Sequence, residues 1–266
     1  MHCIFHLTEN DAKTIEHIVS ESFGNHRYVM ARGAVCDECN KRFSGFEGKA
    51  LSNTIFGMER ARHAVITKKG NNVKSKISEL EIIGSEDFVK QKITVKGLAE
   101  ENLKDFDPTT GIGKLVVKSF DKSESATSKL LLKIGLESLF TSQKKVYEKY
   151  DFTELRNYLL GVSNTDWPFM TTDFEPDRFK SVPTFFDKYY LKRIHCRLFF
   201  CECADGSLLF NFKYGSVAMT INLIDRSDRW IQTFTAGDSK ARLYPEHYRR
   251  KFKIVYSEDQ VEAKQE

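Results

Sequence analysis

The stretch VCDECNKRFSGFE, residues 35–47, sets Cys36 and Cys39 three residues apart and follows them at once with Asn40. Such a pair means little alone. Its meaning comes from CIFH at residues 3–6, where Cys3 and His6 repeat the spacing. Two knuckles of two soft ligands each, three thiolates and one imidazole in all, suit tetrahedral Zn²⁺. An ion held this way adds stability that about sixty residues struggle to gain from their own core. The competing reading is two unrelated buried thiols and a coincidental Cys-His pair. Two matched pairs bracketing one segment favour the metal. His2 is an alternative imidazole for the first knuckle.

The rest of the composition sets bounds. The chain has 266 residues, is 41% hydrophobic and carries 21 Phe, which is enough for a real core in one large domain or two modest ones. A net charge of +4 permits contact with nucleic acid without demanding it. No apolar run approaches the ~18 residues of a membrane span, and no secretory signal is read at the start. Without a secretory signal, the six cysteines read as metal ligands or buried thiols rather than a disulfide framework, and the expected compartment is the cytoplasm. Cys201 and Cys203 fall on one face of a strand and Cys196 on the other, so they read as buried thiols. Trp167 and Trp230 read as core or interface anchors.

Three stretches follow one another. Residues 1–65 are dense in Cys, His, Asn and Gly. From Ala64 to about Ser123, short β-rich runs alternate with Gly-Asn, Gly-Ser and Thr-Gly signals, predicting hairpins. SESATSKLLLKIGLESLFTSQ then places Leu131, Ile134, Leu136, Leu139 and Phe140 at helical spacing, and FTELRNYLLGV predicts a second short helix. From Phe185 the pattern returns to β, with Asp205-Gly206 as a hairpin turn. The polar tail, 257–266, reads as frayed. The chain thus divides into a domain at 1–65, an α+β region at 66–256 and the tail.

Between the knuckles lies TIEHIVSESFGN, residues 14–25, with Glu16 beside His17. Alone, this pair reads as a surface acid next to a strand histidine. The combined pattern C-x-x-[C/H] … EHI … G … C-x-x-C-N resembles the HNH endonucleases, and EHIVSESFGN … VCDECNKRFSGFE is similar to a bacterial branch with embedded zinc knuckles. The resemblance covers residues 3–62.

It implies an α+β fold in which an N-terminal ββα-metal domain with structural zinc precedes a mixed α/β region of antiparallel hairpins. It implies that His17 is the general base that activates water, and that Glu16 and Asn40 are ligands of a catalytic Mg²⁺ or Mn²⁺. Those residue types suit the chemistry. Phosphodiester cleavage needs an activated water and relief of developing charge, and a neutral imidazole is a suitable base near pH 7. Lys41 and Arg42, one turn into the expected helix, are candidates for phosphate contacts, with solvated helix charges an equal alternative. His26 and His63 read as neither ligand nor catalyst.

The chain departs from the family pattern twice. Cys-x-x-His replaces the first Cys-x-x-Cys, and the family's middle Asn, which fixes the imidazole, has no clear counterpart, Asn25 lying early. The expected function is a metal-dependent endonuclease acting on DNA, in restriction or anti-phage defence, with homo-oligomer or defence-system partners and no membrane. The alternative is a zinc-stabilised nucleic-acid-binding module that does not cut. Beyond residue 65 no motif points to a second chemistry, so recognition or control is expected there.

Overall fold

The computed structural model describes residues 1–120, 122–171, 179–182, 195–231 and 241–248. The tail at 257–266 and the onset of β structure at Phe185 lie outside them. The molecule is α+β, with antiparallel sheets and a cysteine-histidine cluster near the N-terminus. No described helix is long and apolar enough to cross a membrane.

The first 35 residues hold little regular structure. An antiparallel bridge joins His17 to Val29, flanked by hydrogen bonds from Ile18 N to Tyr28 O at 3.2 Å and from Met30 N to Glu16 O at 2.9 Å. Helix α1, Asp37–Asn53, follows directly. Cys36 caps it, its sulfur accepting from Cys39 N, and Asp37 and Glu38 place negative charge at the positive end of the helix dipole. Cys39, Phe43, Ala50 and Leu51 form its buried stripe. Thr54 ends α1 and caps α2, Ile55–Arg62, by accepting from Phe56 N.

The expected hairpins are present. Strands β1 (Lys74–Ile77), β2 (Leu80–Gly84) and β3 (Ile93–Lys96) form an antiparallel sheet in that order. Its face packs on α2 through Ala61, Val73, Ile77, Leu80 and Ile82. Strands β4 (Leu103–Asp107) and β5 (Ile112–Leu115) make a separate, largely exposed hairpin.

The long apolar helix expected after residue 123 is α3, Glu124–Ser142. The short one after α4 (Lys144–Lys149) is α5, Thr153–Leu159. Strands β6 (Phe169–Thr171), β7 (Lys180–Ser181), β8 (Cys196–Glu202), β9 (Leu208–Tyr214), β10 (Val217–Asn222) and β11 (Arg242–Tyr244) build an antiparallel sheet in the order β11-β6-β10-β9-β8-β7. The β8–β9 turn contains Asp205-Gly206, and Gly206 adopts the left-handed φ of 87° that such a hairpin favours.

Helix α3 is buried almost all round because it lies between α1 and the strands β9 and β10. The approach to the sheet is close. A Cβ on Gly135 would sit 2.7 Å from Leu223 and 3.1 Å from Phe210. The opposite sheet face is covered by a second cluster around Met170, Leu209, Trp230, Ile231 and Leu243. Trp167 and Trp230 are buried in these cores. Cys196 joins the main core while Cys201 and Cys203 pack against the second, as the strand alternation predicts.

Residue 65 is not a packing boundary. One apolar core runs from Cys3 to Leu223. Phe23 meets Tyr214 edge-on at 4.5 Å, and Phe56 meets Phe212 at 5.7 Å. Arg156 on α5 donates to Ile4 O at 2.8 Å. The change of composition near residue 65 does not report this shared burial.

Candidate functional site

The two knuckles meet. Ile4 N donates to Ala34 O at 2.9 Å, which lays the first beside the second, and Leu7 N returns to Cys3 O at 2.8 Å to close the first turn. The donor atoms of Cys3, His6, Cys36 and Cys39 then all lie within 4.8 Å of one another. Cys3 Sγ is 3.9 Å from Cys39 Sγ, and His6 Nδ1 is 3.4 Å from Cys36 Sγ and 3.5 Å from Cys39 Sγ. Zinc bonds of ~2.3 Å to sulfur and ~2.0–2.1 Å to nitrogen imply tetrahedral edges of about 3.8 Å between sulfurs and about 3.5 Å between sulfur and nitrogen. The four side chains therefore fit a structural ion such as zinc. His2, the alternative imidazole, stays outside the cluster, on an exposed bridge to Glu9.

Sharing a proton with Cys39 drives the Cys3 thiol down to about 4 and pushes Cys39 up. A divalent cation removes that conflict by satisfying every thiolate at once.

His17 stands next to this centre in the chain, half-buried on its bridged strand. The strand is tied to the start of α1. Asp37 accepts from Lys13 N at 3.2 Å, from Thr14 N at 3.0 Å and from the Thr14 hydroxyl at 2.5 Å. The hydroxyl bond above all, with the two backbone donors, holds the Asp37 carboxyl below its usual range. Asn40 donates to Thr14 Oγ1 at 3.2 Å. Asn40 is thereby held close to the segment that leads into His17.

Glu16 does not join them. Its carboxylate turns to the other face of the strand, is 7% exposed, and accepts from Lys133 Nζ on α3 at 2.6 Å. Lys133 Nζ also lies 2.8 Å from Glu47 and 3.2 Å from Glu137, and donates to His17 O at 3.4 Å. Among the described residues, no second group of three His, Cys, Asp or Glu donors gathers as metal ligands do. The expected site for catalytic Mg²⁺ or Mn²⁺ on Glu16 and Asn40 is not a fit to these positions, because strand alternation sends Glu16 inward.

No protein-family model, curated protein or solved structure matches this chain. The site therefore stands on its own geometry.

Asn25, passed over as too early for the middle Asn, organises the turn between the bridged segments. It is buried, and its amide donates to Val19 O at 2.6 Å and Tyr28 O at 2.9 Å while its oxygen accepts from Arg27 N and Tyr28 N. Its position directly after Gly24 and before two polar residues is the one signal for that role in the sequence. Lys41 is exposed on α1. Arg42 is engaged within the protein, its guanidinium donating to Leu160 O and, at 3.0 Å, to Glu38.

The Lys133 cluster carries a stability prediction. Burial opposes the ammonium, but Glu137, Glu47 and Glu16 outweigh it and hold Lys133 well above its usual range. Burial likewise pushes Glu137 well above the usual carboxylate range, beyond what Lys133 offsets. Lys133→Met should cost about 3–5 kcal/mol by leaving carboxylates without their shared cation. Glu137 binds its proton more tightly when folded, so stability falls as pH rises above its ordinary value of 4.5. Glu137→Gln should flatten that decline. Melting curves of the three proteins across pH test both statements. An equal decline in Glu137→Gln would show that Glu137 does not carry the pH dependence.

Proposed function

We propose that this protein is a zinc-stabilised phosphodiester hydrolase of the HNH type, with His17 as general base. The supporting observation is the order and placement of parts. A two-segment antiparallel pairing carries His17, Asn25 ties its turn, and a helix with Asn40 in its first turn begins at the Cys-His cluster. The resemblance implies a two-stranded hairpin leading into such a helix, and a single bridge stands in the hairpin's place here. His17 would take a proton from the attacking water, and its backbone is fixed through Lys133 and the Val29 bridge. Asn40 and the substrate phosphate are the groups open to a divalent ion, which would relieve charge on the phosphate; Glu16 belongs to the structural network instead. Lys41 is the candidate phosphate contact, and DNA is the proposed substrate, in restriction or defence.

A second reading has its own observation. With Glu16 held by Lys133, the chain retains fewer metal ligands than the resemblance implies, which favours a zinc-stabilised nucleic-acid-binding module. Incubating the full chain with supercoiled DNA, single-stranded DNA and RNA, with Mg²⁺, with Mn²⁺ and with chelator, separates the two. Nicking or chain cleavage that requires a divalent ion is expected. Retention of nucleic acid without cleavage would select the binding module.

A further inference from the structure

A cavity of about 240 Å³ opens between α2 and the end of β9, and none of its lining residues belongs to the metal centre. Phe23 and Val65 supply an apolar wall, while His26, His63, Lys90 and His195 supply a polar one. Tyr214 also lines it, and the Tyr214 hydroxyl is buried with no hydrogen-bond partner among the described residues. No carboxylate lines the cavity. A buried hydroxyl left without a partner is costly, so a ligand atom here gains more than one at the surface.

The histidines are built into place. His63 and His195 stack with ring centroids 4.0 Å apart and planes 7° from parallel. Glu59 stands behind His63, its Oε2 3.6 Å from Nε2, and also accepts from Ser216 N at 2.9 Å and Arg62 Nη1 at 2.7 Å. Burial opposes the Glu59 charge, but His63, Ser216 and Arg62 outweigh it and keep the carboxyl low. Burial first, then the nearby His63 and Lys90, hold His195 below its usual range. A Cβ on Gly215 would lie 1.9 Å from Glu59 Oε2, so only glycine, here at φ 59°, lets Glu59 reach His63. Gly215 N donates to His195 O at 3.0 Å, and His195 itself is held at φ 56°. Strain of this kind is kept where the surroundings over-determine it.

We infer that this cavity binds a small phosphorylated ligand, with the phosphoryl oxygens on Lys90, His26, His195 and the Tyr214 hydroxyl and the remainder against Phe23 and Val65. Donors converging from four segments, with no carboxylate in the lining, suit a group with three acceptor oxygens. The cavity, at about 240 Å³, lies just under the ~300–1,000 Å³ of drug-sized sites and suits a small molecule. The site is independent of the hydrolase reading and of the metal centre.

The test uses the full-length, zinc-loaded chain, titrated calorimetrically with inorganic phosphate, phenyl phosphate and benzoate. One saturable site is expected, with phenyl phosphate binding more tightly than phosphate because it also fills the apolar wall. Lys90→Ala and His195→Gln, both exposed positions, should each weaken binding about tenfold with melting temperature unchanged. Benzoate binding as tightly as phenyl phosphate would overturn the phosphoryl specificity. Absence of saturable binding at millimolar concentration, or wild-type affinity in both variants, would overturn the site.

Discussion

Cys36→Ser is expected to release the metal and unfold the N-terminal layer. Wild-type protein prepared without chelator should carry about one zinc per chain, and the variant close to none. The size of the effect follows from the coupling of binding to folding. A structural zinc site contributes ~10–16 kcal/mol at neutral pH, comparable with the whole ~5–15 kcal/mol stability of a domain. Cys36 also caps α1, a role that serine can keep, so the loss in Cys36→Ser falls on the metal centre. Part of the loss is offset by packing the rest of the chain supplies. Phe5 meets Phe43 at 4.7 Å, and the core is continuous from Cys3 to the large sheet. The variant should therefore lose helix signal and melt tens of degrees lower rather than become wholly unfolded. Acid should imitate the mutation, because protons compete with zinc for the thiolates, and zinc release should follow falling pH. Metal analysis that finds no zinc in the wild-type chain would remove the centre from the account.

Local signals were legible and long-range ones were not. The spacing of Cys3, His6, Cys36 and Cys39 was enough to expect the metal cluster, because each knuckle is a local turn and only their meeting is tertiary. The Asp205-Gly206 hairpin and the helix at α3 were legible for the same reason, since turn chemistry and periodicity act over a few residues. The role of Glu16 was not. Its partner Lys133 lies 117 residues away, and nothing beside Glu16 distinguishes an inward carboxylate from a metal ligand. The character of α3 supplied a hint, as a lysine and a glutamate one turn apart inside an apolar helix need partners when buried. His63 and His195 are similarly distant in the chain, and their stacking depends on Gly215, whose necessity appears only once Glu59 is placed. The boundary at residue 65 followed a change of composition, whereas the core follows burial, to which Phe23, Phe56, Phe212 and Tyr214 contribute together.

His17→Ala is expected to lower phosphodiester hydrolysis by about 10²–10⁴-fold, the usual cost of removing a placed general base. Zinc content and melting temperature should barely change. His17 is half-buried, its backbone carries the bridge to Val29, and its carbonyl, not its ring, meets Lys133. Truncating such a side chain removes little packing. The contrast with Glu16→Gln gives the experiment its force. If Glu16 were a ligand of a catalytic ion, the substitution would abolish activity and leave stability alone. Held as it is by Lys133, Glu16→Gln should instead lower the melting temperature, with activity falling only as far as folding does. Asn40→Ala should lie between these cases, loosening the contact to Thr14 and removing the amide proposed as open to a divalent ion. Wild-type rates in His17→Ala would dismiss His17 as the base, whatever the state of the zinc. A wild-type chain that is folded and zinc-loaded yet inactive on every nucleic acid and divalent ion would go further. It would mean that the strand and helix persist as a scaffold for binding, and that the inward turn of Glu16 marks the loss of the cutting reaction.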